Sequence, residues 1–186
     1  GNDILILYET GEGDDVDAVF LAERVNAMKA IIDDAVAQGF QTVLISTLPP
    51  LELTPALIAD FNEATRAELK TDIEDFNDQL ICMLRELAGN PQLTVLWLDM
   101  ASVISEVADA PQSFGFIDNI SAKYDCDTGA DPELVMWWDC LHPAANLHAL
   151  MAGRIEVFPA TEIVGNSGFD DAMDLEQWGD DYLEGG

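Results

Sequence analysis

Two short apolar runs, Thr42–Ser46 (TVLIS) and Leu93–Leu98 (LTVLWL), each follow a long stretch in which apolar residues recur at three- and four-residue steps. A short, continuous apolar run suits a strand covered on both faces, as strands of parallel sheets are. Before the first run, Leu21, Val25, Met28, Ile32 and Val36 mark one face of an amphipathic helix, and Gly39 ends it as a C-cap. Between the runs, Leu48-Pro49-Pro50 breaks the strand, and Thr54-Pro55 supplies an N-cap followed by proline at the first helical position. The helical pattern then reaches Leu87, with or without an interruption, and carries Phe76, Leu80, Met83 and Leu87 on one stripe. Gly89-Asn90-Pro91 stops it. Helix, strand, helix, strand in this order predicts an α/β fold, with right-handed crossovers onto a parallel sheet that carries helices on both faces.

The flanking segments are less regular. The apolar Ile4–Leu7 is followed by a polar stretch, Glu9–Asp15, that reads as a loop. Residues 110–134 are punctuated by Pro111, Gly115, Gly129 and Pro132, and Met136-Trp137-Trp138 then abuts Asp139. Pro143 is expected to open a last helix running to about Ile155. At 186 residues the chain suits one domain with a sizeable core, here 1–158, followed by 159–186 as an acidic C-terminal tail. Residues 160–186 hold eight acidic and no basic side chains, a composition expected of a mobile segment.

The formal net charge of −29 comes from 36 acidic residues against 7 Lys and Arg. Such a field repels phosphates, which argues against nucleic acid and anionic membranes as partners. No apolar run reaches the roughly 18 residues of a membrane span, so no stable membrane insertion is expected. The charge fits two backgrounds equally, a protein adapted to high salt and an ordinary acidic surface. The three cysteines show no C-x-x-C spacing, which argues against a structural zinc site. Cys82 sits in a helical pattern as a small apolar residue. Cys126 and Cys140 are near enough in sequence to close a short disulfide loop, were the protein exported.

One local pattern carries chemistry: Trp138-Asp139-Cys140-Leu141-His142-Pro143. A carboxylate three residues before a histidine can accept the imidazole Nδ1–H, leaving Nε2 as a general base. This is the base half of a serine triad, although the same spacing also serves as a simple cap. The nucleophile is harder to find. No G-x-S-x-G elbow is present. Ser46 reads as a turn residue at a strand end, and Ser167, in Gly165-Asn166-Ser167-Gly168, reads as a turn in the acidic tail rather than a permuted nucleophile. His148 is not at the i, i+4 spacing of paired metal ligands and reads as a helix-face residue. Trp137 and Trp138 are expected beneath or beside the site, one of them as a possible wall of an acyl pocket. Asp170, Asp171, Asp174 and Glu176 lack the spacing of a calcium loop and read as a solvated face.

In context, the block Trp138-Asp139-x-x-His142-Pro143 leading into a helix resembles the end of the catalytic domain of SGNH/GDSL-type lipases and esterases, in particular their lecithinase or hemolysin-like branch. The resemblance covers residues 1–155. Gly1-Asn2-Asp3 looks like the end of the family's G-x-N-D block, and Leu48-Pro49-Pro50-Leu51 with Thr54-Pro55 like its post-strand segment. Phe76-Asn77-Asp78-Gln79-Leu80 is similar to its FN-x-x-L helix, and Pro111–Asn119 to its P-x-x-F-G-F-x-N stretch. The resemblance implies a three-layer α/β/α, flavodoxin-like fold with its N-terminal strand or strands missing. It also implies hydrolysis of small-molecule or lipid carboxylic esters by a Ser-His-Asp triad without metal or cofactor, in a secreted, extracellular or periplasmic protein. By the same resemblance His142 is the general base, Asp139 its orienting carboxylate and Asn2 a donor to the oxyanion. The family's Gly-Asp-Ser-Leu turn, which carries the nucleophile, and the block with its glycine donor are not found. The expectation is therefore a fragment lacking the serine; its rivals are a catalytically inactive SGNH-fold module for binding or structure, and an acidic, salt-adapted secreted protein with no enzymatic role.

Overall fold

The computed structural model describes residues 1–124 and 131–159. Its elements in chain order are α1 (Asn2–Thr10), α2 (Ala18–Ala37), β1 (Thr42–Ser46), α3 (Pro55–Asp60), α4 (Glu63–Ala88), β2 (Thr94–Leu98), α5 (Met100–Asp109), α6 (Ala145–Ala152) and β3 (Glu156–Val157). Helix α1 absorbs the start of the expected Glu9–Asp15 loop, which begins only at Gly11, a left-handed residue at φ 79° that closes the helix. Asp17 caps α2 by accepting the Phe20 N–H at 2.7 Å, and Gly39, at φ 97°, lets the chain turn back into β1.

The helical stretch between the strands is interrupted. Phe61 leaves α3 in an extended conformation, and Asn62 recaps the chain as α4 by accepting the Thr65 N–H at 3.1 Å. Thr54 occupies the N-cap of α3 as expected, but its hydroxyl donates back to the Leu51 carbonyl at 2.8 Å instead of capping the helix. Pro143 also differs from expectation. It lies two residues ahead of α6 and bridges Trp137, so Ala144 is the N-cap and the helix ends at Ala152.

Strands β1 and β2 run parallel, with Thr42 opposite Thr94 and Ser46 opposite Leu98. The expected all-parallel sheet is corrected by β3, which pairs antiparallel with β2 at Leu96–Val157 and Trp97–Glu156. The sheet is thus small and mixed, in the order β1-β2-β3. Alternation sends Val43, Ile45, Val95 and Trp97 to one face, where they join a core built with α1, α2 and the stripe of α4. Leu98, on the opposite face, packs on a second cluster formed by α5, α6, Met136 and Trp137. Tyr8 ties α1 to α4 by donating to Asp72 Oδ2 at 2.5 Å; burial, the hydrogen bond and nearby carboxylates hold its phenol above the usual range.

Candidate active site

The second core places the turn that holds Asp139 and His142. Trp137 is almost wholly buried and donates its indole N–H to the Ile120 carbonyl at 2.7 Å. Its backbone bridges Pro143, and two further bonds close the loop between them: Trp138 N–H to the His142 carbonyl and Ala144 N–H to the Met136 carbonyl, both 2.8 Å. The intervening residues 139–142 stand out from this anchor as a tight turn. The Cys140 carbonyl accepts the Ala56 N–H at 3.0 Å, fastening the turn to the start of α3.

Asp139 organises the turn from inside. Its Oδ1 accepts the N–H of Leu141 at 2.7 Å and of His142 at 2.8 Å, which leaves Oδ2 to meet His142 Nδ1 at 2.8 Å. The backbone donation from Leu141, with help from the His142 N–H and ring, holds the carboxyl down at about 2 against the desolvation that opposes it. Because Nδ1 is committed to Asp139, the ring nitrogen left for other work is Nε2. The imidazole is 74 % exposed, so nothing in the turn itself blocks that nitrogen.

His142 lines a pocket of about 310 Å³ whose wall is mostly apolar, with Leu5, Leu51, Ile104, Trp137 and Met151 among its lining residues. Its polar lining comes from Asn2, Thr54, His142 and His148. The fold therefore brings Asn2, at the first position of α1, and His142 to one cavity across 140 residues of sequence. Trp137 forms part of the wall. Trp138 lies outside it and stacks obliquely on Tyr124, ring centroids 4.6 Å apart.

Some contributions were not foreseen. His148 lines the pocket, whereas the helical spacing alone gave it only a place on a helix face. Buried Asn77 accepts the Leu48 N–H at 2.7 Å and donates to the Leu48 carbonyl at 3.0 Å, clamping the loop that leads to Pro49 at the pocket rim. A signal was available: Asn77 lies between Ile73 and Leu80–Leu84 on the buried stripe of α4, where an amide has to find partners. Thr47, also buried, receives the Ala101 N–H at 3.0 Å and so joins the same loop to α5. Cys140 is a free thiol, 2.8 Å from Lys123 Nζ. Cys126, Ser167 and the Asp170–Glu176 cluster lie outside the described residues. Among the described residues no group of three metal-ligating side chains converges, and no helix is long and apolar enough to cross a membrane.

A family model described as GDSL-like lipase/acylhydrolase matches residues 1–155. The chain belongs to that family. Its domain implies the α/β fold of SGNH hydrolases, with which these helices and the small mixed sheet agree. Similar proteins include two plant proteins named anther-specific proline-rich protein APG. That of Arabidopsis thaliana is 24 % identical over 167 residues, covering 76 % of this chain and 30 % of the relative. That of Brassica napus is 21 % identical over 169 residues, covering 80 % and 37 %. The chain thus spans about a third of the length of the curated relatives it matches. The Asp-x-x-His block at Asp139 and His142 lies inside the matched range.

Proposed function

We propose that this chain is the base-bearing part of a secreted carboxylic ester hydrolase whose nucleophilic serine lies on polypeptide outside these 186 residues, in a domain of three α/β/α layers. The observation that carries the reading is the His142 Nδ1–Asp139 Oδ2 contact of 2.8 Å on a turn that opens into an apolar pocket. In the reaction, Nε2 takes the proton of the serine hydroxyl as its oxygen attacks the ester carbonyl, and the imidazolium is stabilised by Asp139. Asn2, on the same pocket, donates its amide to the oxyanion of the tetrahedral intermediate. The imidazolium then returns the proton to the leaving alcohol. Water repeats the sequence on the acyl-enzyme and releases the acid. The apolar wall suits the acyl chain of a small or lipid ester.

A second reading, an inactive module that binds through the same pocket, is favoured by one fact: no serine is among the pocket's described lining residues. Fluorophosphonate labelling followed by peptide mapping separates the readings. The 186-residue chain is expected to take no label, and protein expressed with the coding sequence ahead of Gly1 is expected to be labelled on a serine of that added segment. Labelling of Ser167 or another serine within the chain overturns the assignment, and an unlabelled longer protein supports the inactive module.

A further inference from the structure

One segment supports both the pocket wall and the turn that holds His142. Residues 49–56 give Pro49, Leu51 and Thr54 to the pocket, and the Ala56 N–H makes the 3.0 Å bond to the Cys140 carbonyl. In the middle of the segment, Leu51–Leu53 forms a single 3₁₀ turn, closed by the Leu53 N–H on the Pro50 carbonyl and the Thr54 N–H on the Leu51 carbonyl. That turn packs on α3 and α4, and its central residue is an acid, Glu52. Glu52 is only 7 % exposed, and its Oε2 is buried without a hydrogen-bond partner. On α4, Arg66 Nε is likewise buried and without a partner, although Arg66 is close enough to act on a charge at Glu52. Buried polar atoms ordinarily find partners, so an acid and a base left short where two elements meet call for a reason.

The packed turn suits the neutral acid, because a charged oxygen with no donor is far costlier to bury than a neutral carboxyl. Burial accordingly holds the Glu52 carboxyl above the usual range; its own backbone N–H, Lys70 and Arg66 pull the other way, and Glu74 adds to the rise. Those three side chains stand on α4, while α3 carries one charged residue, Asp60, at its last position. We propose that Glu52 is a proton-operated latch behind the pocket wall: neutral, it lets the 51–53 turn stay packed on α4, and ionised, it leaves that packing to meet Arg66. Leu51 and Thr54 then lose their places on the wall, and Ala56 its hold on the Cys140 carbonyl. The folded value lies above the unfolded one. The latch's contribution to the packed state is therefore complete below the unfolded value and is lost as pH rises through the folded one. As a control on an ester hydrolase the latch rests on the function proposed above; as a change in the wall it does not.

Two titrations of the 186-residue chain test the latch. ¹³C resonances follow the Glu52 carboxyl, and hydrogen exchange, corrected for the intrinsic pH dependence of its rate, gives the protection of the Thr54 and Ala56 amides. The carboxyl is expected to titrate above its ordinary value of about 4.3. Protection at both amides should fall by roughly threefold or more through the same midpoint. Glu52→Gln keeps the shape of the neutral acid, and its two amides should hold their protection across that range. Arg66→Gln should move the Glu52 midpoint further up, since Arg66 favours the charge. A carboxyl that titrates at its ordinary value overturns the latch, as does protection that stays level through the Glu52 midpoint or falls as far in Glu52→Gln, or a midpoint that Arg66→Gln leaves in place. If Glu52→Gln does not fold, the coincidence or separation of the two midpoints in the unaltered chain decides. Neither titration depends on activity. A latch that works in a serine-bearing protein without esterase activity stands while the hydrolase falls, and esterase activity with level protection does the reverse.

Discussion

At Asp139 one carboxylate serves two purposes, and the two can be separated by substitution. Oδ1 holds the turn through two backbone N–H groups, while Oδ2 holds the imidazole. Asp139→Asn keeps an oxygen for the backbone but cannot orient the ring as a carboxylate does, so in the serine-bearing protein esterase activity should fall by about 10³–10⁴-fold with the fold intact. Asp139→Ala should lose the same activity and loosen the turn as well, visible as faster exchange of the Leu141 and His142 amides. His142→Ala should abolish activity and, on an exposed side chain, change stability by no more than about 0.5 kcal/mol. Activity within tenfold of the parent would remove His142 from the mechanism. The pH dependence follows from the same bonds. The folded carboxyl, held at about 2, lies below its unfolded value of about 3.9, so its contribution to stability is complete above that value and is lost as pH falls towards 2. The acid limb of an activity profile is therefore not set by Asp139. A ¹³C titration that places the Asp139 carboxyl near 4 would contradict this.

At the scale of elements, Asn77 couples the loop that lines the pocket to the core around α4. It satisfies both polar groups of Leu48 from a buried position on α4, between leucines that are themselves fully buried. Asn77→Ala strands the Leu48 N–H and C=O and should cost about 1–3 kcal/mol, measured as a lower urea midpoint with an unchanged slope. An equal midpoint would mean that water replaces the amide without loss. This clamp also shows what sequence could and could not convey. The limits of β1, the stripes of α2 and α4 and the stop at Gly89 were legible, because period and punctuation are local properties. Helix α5 was overlooked although Asp99 caps it through the Ser102 N–H at 3.0 Å and Val103, Ile104 and Val107 line its buried face. A strand ending in Asp reads as ending in a loop until the following period is counted. Strand β3 had no signal, being two residues long and held by β2 rather than by its own pattern. Of the site, Asp139 and His142 were legible because they stand three positions apart. The meeting of Asn2 with His142, and the place of His148 on the pocket, depend on how α1 and α6 pack.

For the whole molecule, acidic charge opposes the compact state. On α4, the half-buried Asp72 and Asp78 have their carboxyls raised above the usual range, first by burial and then by neighbours such as Asp75. A raised folded value means that the folded chain binds protons more readily than the unfolded one just above the ordinary carboxylate range. Stability from these groups thus declines as pH rises through that window, the reverse of Asp139. Added salt should act in the same direction as added protons. With a Debye length of about 10 Å at 0.1 M and 3 Å at 1 M, molar NaCl screens repulsion between exposed carboxylates. A relief of about 1–2 kcal/mol would raise Tm by roughly 2–8 °C for a domain of this size. Screening and general salting-out differ in shape: screening does most of its work by a few tenths molar, while salting-out keeps growing with concentration. A melting series in NaCl at pH 7 should therefore climb steeply and then flatten, and the climb should shrink as the pH is lowered and the raised carboxyls take up protons. A melting temperature unchanged between low and molar NaCl would show that the charge is spread widely enough to leave folding indifferent to it, and that the acidic surface is an ordinary one rather than an adaptation to salt.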